Sequence, residues 1–207
     1  MTREPDIRQA LSLGADYLGF IVYPKSPRAL SLKRAAELSA LVPRGKRVVV
    51  DVDTGLSDLK RYQEAGFDEF QIHVNLPANR QVIADYSDLV GREHLWLAPR
   101  LAPSDEFPEW MLEYADTILL DTYSGTQMGG TGHTGDFKRF AKFKQQFANT
   151  RWILAGGLKP SNIEAAVKQS TATQVDVNSG VESATGVKDP EKLRAFFQVL
   201  KQGQTIV

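Results

Sequence analysis

Short apolar runs alternate with amphipathic helical patterns along the whole chain, and this alternation restricts the fold more than any other feature of the sequence. Runs such as Val48-Val49-Val50 are typical of strands that are buried on both faces of a parallel sheet. The predicted strands are Asp16–Val22, Lys46–Val52, Glu69–His73, Leu95–Leu101, Thr117–Thr122, Arg151–Gly157 and Gln174–Ser179. The predicted helices are Pro5–Leu13, Leu30–Leu41, Leu56–Glu64, Ala78–Leu89, Asp105–Tyr114, Asp136–Ala148, Ser161–Lys168 and Pro190–Lys201.

The repeated βα units predict a single α/β domain over residues 1–207, because no linker or change of composition divides the chain. The expected architecture is a (β/α)8 TIM barrel whose first strand is missing from this sequence. Eight helical patterns accompany only seven strands, and the chain opens directly into the first helix at Thr2–Asp6. The gap would leave two unpaired sheet edges, between the first and the last of the predicted strands.

Two strands near the C-terminus end in glycine and turn at once into a helical pattern. The first turn carries Gly156 and Gly157, and the second carries Ser179 and Gly180. Glycine lets backbone N–H groups approach a ligand closely, and a helix N-terminus favours an anion. Barrels of this class hold phosphate at the turns after their last two strands. Two ordinary βα turns are the alternative interpretation, but the pair at this spacing favours a phosphate site.

Composition excludes several classes of partner. Lys and Arg together number 25, as do Asp and Glu, so no basic field recruits nucleic acid or an anionic membrane. No apolar run is long enough to span a bilayer. Cysteine is absent, which excludes disulfides and thiolate metal sites in the chain as given, and the histidines lack metal-ligand spacing. We expect a cytoplasmic enzyme that acts on a small molecule, either as a monomer or as a homodimer.

Five motifs at strand ends together form a specific signature. They are Gly19–Arg28, Leu119–Thr122, Gly129–Thr134, Ala155–Leu158 and Val175–Glu182. In these motifs the chain, from Thr2 to about Phe197, resembles the phosphoribosylanthranilate isomerases, (β/α)8 barrels of tryptophan biosynthesis. The resemblance implies an Amadori rearrangement of N-(5-phosphoribosyl)anthranilate without a metal or an organic cofactor. In that reaction an acid opens the ribose ring to a Schiff base, and a base then removes the proton at C2.

The resemblance also assigns roles to residues. Asp121 is the general acid, Arg28 pairs with the anthranilate carboxylate, and the turns at Gly156-Gly157 and Ser179-Gly180 hold the phosphate. Asp121 follows an apolar run, which suits a carboxyl that must keep its proton near neutral pH, although a loop-capping Asp is the alternative. Arg28 offers a planar fork in a proline-framed loop, although a solvated loop arginine is possible. Asp176 either contacts a ribose hydroxyl or stabilises the fold.

Several positions depart from the family pattern. The family's first strand ends in Lys-x-Cys-Gly, whose cysteine is the general base, and this sequence begins just after the corresponding position. Either a start assigned too far downstream or a real loss of the strand would produce the pattern, and we expect the upstream codons to encode that strand. Asp51 replaces an apolar residue and either faces the barrel mouth as a substitute base or binds a loop partner. Val74 replaces a glycine and is expected to narrow the mouth.

The motif Gly130–Gly135 spells G-x-G-x-x-G, but it does not follow its strand directly and lacks the later acidic residue of a dinucleotide site. A glycine-rich lid over the mouth is the better interpretation. Two alternatives to the isomerase remain open from the sequence: a barrel that binds phosphate ligands without catalysis, and an isomerase of another phosphorylated sugar.

Overall fold

The computed structural model describes residues 1–122 and 136–203. Six parallel strands lie side by side in chain order, and each is hydrogen-bonded to the next. The strands are β1 Leu18–Ile21, β2 Arg47–Val52, β3 Glu69–Val74, β4 Leu95–Pro99, β5 Thr117–Asp121 and β6 Arg151–Ala155. The helices are α1 Glu4–Leu13, α2 Leu32–Ser39, α3 Leu56–Glu64, α4 Arg80–Val90, α5 Phe137–Gln146, α6 Ile163–Ser170 and α7 Pro190–Gly203. All six strands confirm predicted ones, with ends that differ by no more than two residues.

The sheet is buried on both faces, as the apolar runs predict. The outward faces of the strands pack against the helices in a large core that includes Phe20, Val49, Ile72 and Leu97. The inward faces form a second, smaller apolar cluster of Val48, Trp96, Ala98, Leu119, Ile153 and Ala155. Because side chains alternate along a strand, β2, β4, β5 and β6 each contribute to both clusters.

Local signals fix where the helices begin and end. Ser31 accepts a hydrogen bond from the N–H of Arg34 at the start of α2, and Asp136 accepts one from the N–H of Arg139 at the start of α5. Gly14 follows α1 with φ 96°, a left-handed conformation that favours glycine at a helix end. The helices α1 to α7 confirm seven of the eight predicted helices.

The predicted helix Asp105–Tyr114 is wrong as an α-helix. The structure has a 3-10 helix at Glu109–Glu113, in which the N–H of Met111 donates to the carbonyl of Pro108 at 2.9 Å. Pro108 lies within the predicted span, lacks an N–H and cannot continue an α-helix through that position. The chain here forms only a short turn between β4 and β5.

The predicted strand Gln174–Ser179 is present only as a single parallel bridge between Leu154 and Val175. The carbonyl of Gln174 accepts from the N–H of Leu154 at 3.0 Å, and the N–H of Asp176 donates to Leu154 at 2.8 Å. Within the described residues, no strand pairs with the other edge of this segment or with the outer edge of β1. A segment with a partner on one side only has few ladder hydrogen bonds, which explains its shortness.

The chain after this segment forms a 3-10 turn at Ser179–Val181 and a small antiparallel pair, β7 Glu182–Ala184 and β8 Val187–Lys188. The sequence patterns did not indicate this pair. It lies against the start of the chain, where Asp6 accepts a hydrogen bond from the N–H of Lys188 at 3.1 Å. The first helix and the last strands are thus joined directly.

Asp51 points away from the barrel interior and into the layer between the sheet and the helices. Its carboxylate accepts hydrogen bonds from the Tyr62 hydroxyl at 2.8 Å and the Thr54 hydroxyl at 2.7 Å, and all three residues are buried. Burial, together with the hydrogen bond to Asp51, raises the pKa of Tyr62. The interpretation of Asp51 as a residue with a loop partner is confirmed, and the interpretation as a base facing the mouth is wrong.

Val74 also faces the helices. Its side chain is 4% exposed and belongs to the large outer core. The expectation that Val74 narrows the mouth is therefore wrong, because its neighbour His73 is the residue whose side chain points inward. The positive φ in this region belongs to Asp53 instead, with φ 45°.

The contact between Asp51 and Tyr62 predicts a measurable loss of stability. Tyr62→Phe keeps the ring and removes one hydrogen-bond donor from a buried carboxylate, which should lower the free energy of unfolding by about 1–3 kcal/mol. Urea denaturation measures this change. The matched variant Tyr17→Phe removes a hydroxyl from a partly exposed ring that packs edge-on against Trp96, and should change stability by less than about 0.5 kcal/mol. Equal effects of the two variants would contradict the prediction.

Candidate active site

The parallel register brings polar side chains together at the C-terminal ends of the strands. Asp121 is the last residue of β5 and pairs with Ala155 of β6, while His73 of β3 pairs with Ala98 of β4. Ala98 and Ala155 belong to the inner cluster, so Asp121 and His73 project into the same interior. The polypeptide is secured just beyond Asp121, because the Thr122 hydroxyl and N–H both donate to the carbonyl of Ala155 at 3.0 Å.

His73 faces the same interior as Asp121, and the charge of Asp121 acts on it. Burial lowers the pKa of His73, and the negative charge of Asp121 partly opposes this shift. The Gln71 amide nitrogen lies 3.1 Å from Nε2 of His73, which suits a neutral imidazole that accepts a hydrogen bond. The sequence analysis did not assign His73 to the site. The alternation of Glu69, Gln71 and His73 on one strand face was the signal that could have found it.

Asp176 lies in the same interior. Desolvation raises the pKa of its carboxyl, the charge of Lys188 opposes the rise, and the charge of Asp121 adds to it. Protein atoms surround this carboxyl, yet Asp176 is an exposed residue, so solvent screening moderates the rise. The structure therefore places Asp176 in the same interior as Asp121.

The two glycine turns touch each other. Gly156 and Gly157 have φ 100° and φ 61°, which are left-handed conformations. A Cβ on Gly180 would lie 1.8 Å from the carbonyl oxygen of Leu158, so no residue other than glycine fits there. In the part of the chain that the structure describes, the N–H groups of Gly157 and Gly180 have no hydrogen-bond acceptor. Ser179 directly precedes Gly180 and follows the segment around Val175 that forms the bridge to Leu154. The turns form one surface whose N–H groups can receive an anion.

Asn162 fixes the shape of the first turn. Its side-chain oxygen accepts from the N–H of Lys159 at 2.8 Å, and its amide nitrogen donates to the carbonyl of Gly157 at 3.0 Å. Both bonds use side-chain atoms, so they hold the turn without occupying the N–H of Gly157. The sequence analysis did not single out Asn162, although it follows the glycine pair within the same helix start.

Arg28 forms an ion pair with a carboxylate of its own chain. Its Nε lies 2.9 and 3.1 Å from the two oxygens of Glu182, and its Nη2 lies 2.6 Å from the second oxygen. This hydrogen bond raises the pKa of Arg28. Burial alone would raise the pKa of Glu182, but the bond from Arg28 and the charge of Lys188 outweigh burial and hold it below its usual range. Sequence reasoning missed Glu182, although it ends the same motif as Ser179 and Gly180.

Three remaining expectations concern the glycine-rich lid, a metal site and a membrane span. The predicted glycine-rich lid at Gly130–Gly135 lies outside the described residues. Across residues 1–122 and 136–203, no group of three His, Cys, Asp or Glu side chains could hold a metal ion. None of the helices in these ranges combines the length and the apolar composition that crossing a membrane requires.

Comparison with known proteins agrees with this arrangement. The family described as "N-(5'phosphoribosyl)anthranilate (PRA) isomerase" matches residues 1–199. The N-(5'-phosphoribosyl)anthranilate isomerase of Acinetobacter calcoaceticus is 32% identical over 206 residues, which cover 98% of this chain and 94% of that protein. The crystal structure of TrpF from Jonesia denitrificans is 30% identical, with a TM-score of 0.76 and coverage of 99% of this chain and 95% of that one.

One similar structure contains a ligand. It is a phosphoribosyl anthranilate isomerase in complex with reduced 1-(o-carboxyphenylamino)-1-deoxyribulose 5-phosphate. This protein is 25% identical to the chain, with a TM-score of 0.75 and coverage of 98% of this chain and 95% of that one. With the family match over nearly the whole length, these likenesses show that the chain belongs to the phosphoribosylanthranilate isomerases and has their (β/α)8-barrel fold.

Proposed function

We propose that the chain catalyses the Amadori rearrangement of N-(5-phosphoribosyl)anthranilate to 1-(2-carboxyphenylamino)-1-deoxyribulose 5-phosphate in tryptophan biosynthesis. The observation that carries the proposal is the presence, at one end of the sheet, of a counterpart for each reactive or charged part of the substrate. Asp121 suits the ribose ring oxygen, Arg28 suits the carboxylate, and the two touching turns at Gly157 and Gly180 suit the phosphate.

Asp121 is proposed as the acid that protonates the ring oxygen, after which the ring opens to a Schiff base. The carboxyl group can reach this position because it ends β5 and projects into the interior. A base then takes the C2 proton to give an enolamine, which gains a proton at C1 and loses the proton of its C2 hydroxyl as it ketonises to the product. The resemblance implies a cysteine as that base, and the given sequence contains none. Acid, carboxylate ligand and phosphate cradle are the roles proposed for the described residues.

Asp176 is proposed to contact a ribose hydroxyl. It lies close enough to Asp121 for that charge to contribute to the raised pKa of its own carboxyl, and among the described residues it has no side-chain hydrogen bond that would hold it elsewhere. A carboxylate can accept a hydrogen bond from a ribose hydroxyl.

We expect the enzyme to act in the cytoplasm on this small phosphorylated molecule, as a monomer or a homodimer, without nucleic acid. The balance of 25 basic and 25 acidic residues supports the last point, because it provides no extended positive field. Light scattering of the purified chain measures the oligomeric state directly.

The phosphate cradle predicts stabilisation by inorganic phosphate. Phosphate at 100 times its Kd should stabilise the fold by about 2.7 kcal/mol and raise Tm accordingly. Gly157→Val should abolish this rise, since the side chain blocks the N–H and strains the left-handed backbone. Gly45→Val is the matched control, because Gly45 has φ 78°, open space around it and a position in the loop before β2, away from the cradle. A Gly157→Val chain that still responds as wild type would reject the cradle.

The acid role predicts a loss of turnover in Asp121→Asn. The amide keeps the shape but cannot deliver a proton, so kcat should fall by about 10²–10⁴-fold while the affinity for inorganic phosphate stays unchanged. Loss of substrate fluorescence measures the rate. Asp116→Asn, which removes an exposed charge paired with Arg92, is the control and should leave kcat within about twofold. A fall of only a few-fold in Asp121→Asn would show that another group is the acid.

The carboxylate role predicts that Arg28→Ala acts mainly on KM. Loss of a charged hydrogen-bonding partner costs about 1.5–3 kcal/mol, so KM should rise by about 10–100-fold while kcat falls less. Arg80→Ala removes a guanidinium from an exposed pair with Glu113 and serves as the control. An unchanged KM would remove Arg28 from the site. If phosphate binds but no variant and no wild-type sample turns over, the chain is a phosphate-binding barrel instead.

A further inference from the structure

A charged network connects the loop after β1 with the β7–β8 pair at the mouth of the barrel. Arg28 comes from the loop, whereas Glu182 and Lys188 come from the pair. Lys188 donates to Glu182 at 3.2 Å and to the carbonyl and side-chain oxygens of Asn178 at 2.9 and 2.7 Å. Two cations therefore share one side-chain carboxylate, and the three side chains carry a net charge of one positive unit.

Glu182 is the fixed member of this network. Its side chain is 5% exposed, and that of Lys188 is 7% exposed. The backbone carbonyl of Glu182 also accepts a hydrogen bond from the ammonium group of Lys192 at 2.7 Å. Arg28 is more open, with a side chain that is 21% exposed. Within the described residues, Glu182 is the one hydrogen-bond partner of the Arg28 guanidinium, so it decides where the guanidinium points.

The ion pair leaves part of the guanidinium unoccupied. A guanidinium has five N–H donors and can bind one carboxylate through Nε and one Nη, and another through the two Nη atoms. Glu182 uses Nε and Nη2 of Arg28. The second edge, which includes Nη1, has no acceptor among the described residues. This free edge can bind a second carboxylate without breaking the first pair.

Charge balance favours the binding of two carboxylates to Arg28, that of Glu182 and a second one, over a competition between them. If Glu182 and Arg28 were alone, their charges would cancel and a second carboxylate would meet no net attraction at close range. Lys188 supplies the additional positive charge and neutralises Glu182 from the other side. Glu182 can therefore orient Arg28 without removing its attraction for an anion.

We propose that Glu182 is a positioning residue that directs the free edge of Arg28 toward the carboxylate of the substrate, and thereby sets the preference for an aromatic amine that carries an ortho carboxylate. The inference rests on the proposed function, because it takes Arg28 as the carboxylate ligand. It adds a residue that acts through Arg28, together with Lys188, which keeps the network of three side chains net positive.

The experiment compares two ligands on matched variants. The first ligand is reduced 1-(o-carboxyphenylamino)-1-deoxyribulose 5-phosphate, and the second is the same compound without the carboxyl group. Calorimetry gives the ratio of their Kd values, which isolates the carboxylate from the phosphate. Glu182→Gln should reduce the preference for the first ligand by about tenfold, a change of about 1.4 kcal/mol, because a neutral amide holds the guanidinium less firmly. KM should rise in parallel, while kcat changes by less than about threefold.

Two further variants complete the test. Glu113→Gln neutralises the carboxylate of the exposed pair with Arg80 and should leave the ligand preference unchanged. The double variant Glu182→Gln with Lys188→Gln keeps the net charge of the network at one positive unit, yet it removes the carboxylate that directs Arg28. It should lose the preference as Glu182→Gln does. It also keeps the question testable if Lys188, left unpaired, prevents the single variant from folding.

Each outcome has one meaning. A wild-type chain that binds both ligands equally would overturn the role of Arg28, and the positioning role of Glu182 with it. A wild-type preference that Arg28→Ala removes but Glu182→Gln retains would overturn only the positioning role. A Glu182→Gln chain with tighter binding of the carboxylated ligand would show that Glu182 competes for Arg28. A tenfold loss of preference in both Glu182 variants, with inorganic phosphate affinity unchanged, would establish the proposal.

Discussion

The parallel register of the six strands is the constraint on which the site depends. Because side chains alternate along each strand, the register decides at every level which residues face the helices and which face the interior. Leu120 packs in the outer core, and Asp121, one residue later, faces the mouth beside Ala155. A shift of one residue in β5 would bury Asp121 against the helices and turn a leucine toward the mouth.

The same alternation explains which parts of the structure could be predicted from the sequence. Six of the seven predicted strands, seven of the eight predicted helices and the glycine turns follow from local patterns and are present as predicted. Asp51 and Val74 were also accessible to this reasoning: Val50 faces inward, so Asp51 must face outward, and His73 faces inward, so Val74 must face outward. The expectations for these two residues rested on their place at strand ends and left out the alternation of inward and outward side chains along the strand.

The partner of Arg28 could not be predicted in the same way. Arg28 and Glu182 are 154 residues apart, and their contact exists only because the curved sheet brings its first and last segments together. No local pattern encodes such a distance. The short bridge at Val175 has a similar cause, since the length of a strand depends on the neighbours that pair with it and not only on its own residues. Long-range contacts of this kind determine which side chains pair at the site, whereas local patterns determine where along the strands the site lies.

The overall neutrality of the chain gives these short-range contacts their importance. With 25 positive and 25 negative side chains, the protein offers no general attraction to a substrate that carries a phosphate and a carboxylate. Recognition must then come from groups placed at each anion. The backbone N–H groups of Gly157 and Gly180 can serve the phosphate without any side-chain charge, so the barrel interior can keep Asp121 and Asp176 close by. No such backbone cradle is proposed for the substrate carboxylate. At the mouth, Arg28 and Lys188 both pair with the buried Glu182, and the three side chains together carry one net positive charge, which is what the proposed carboxylate site requires.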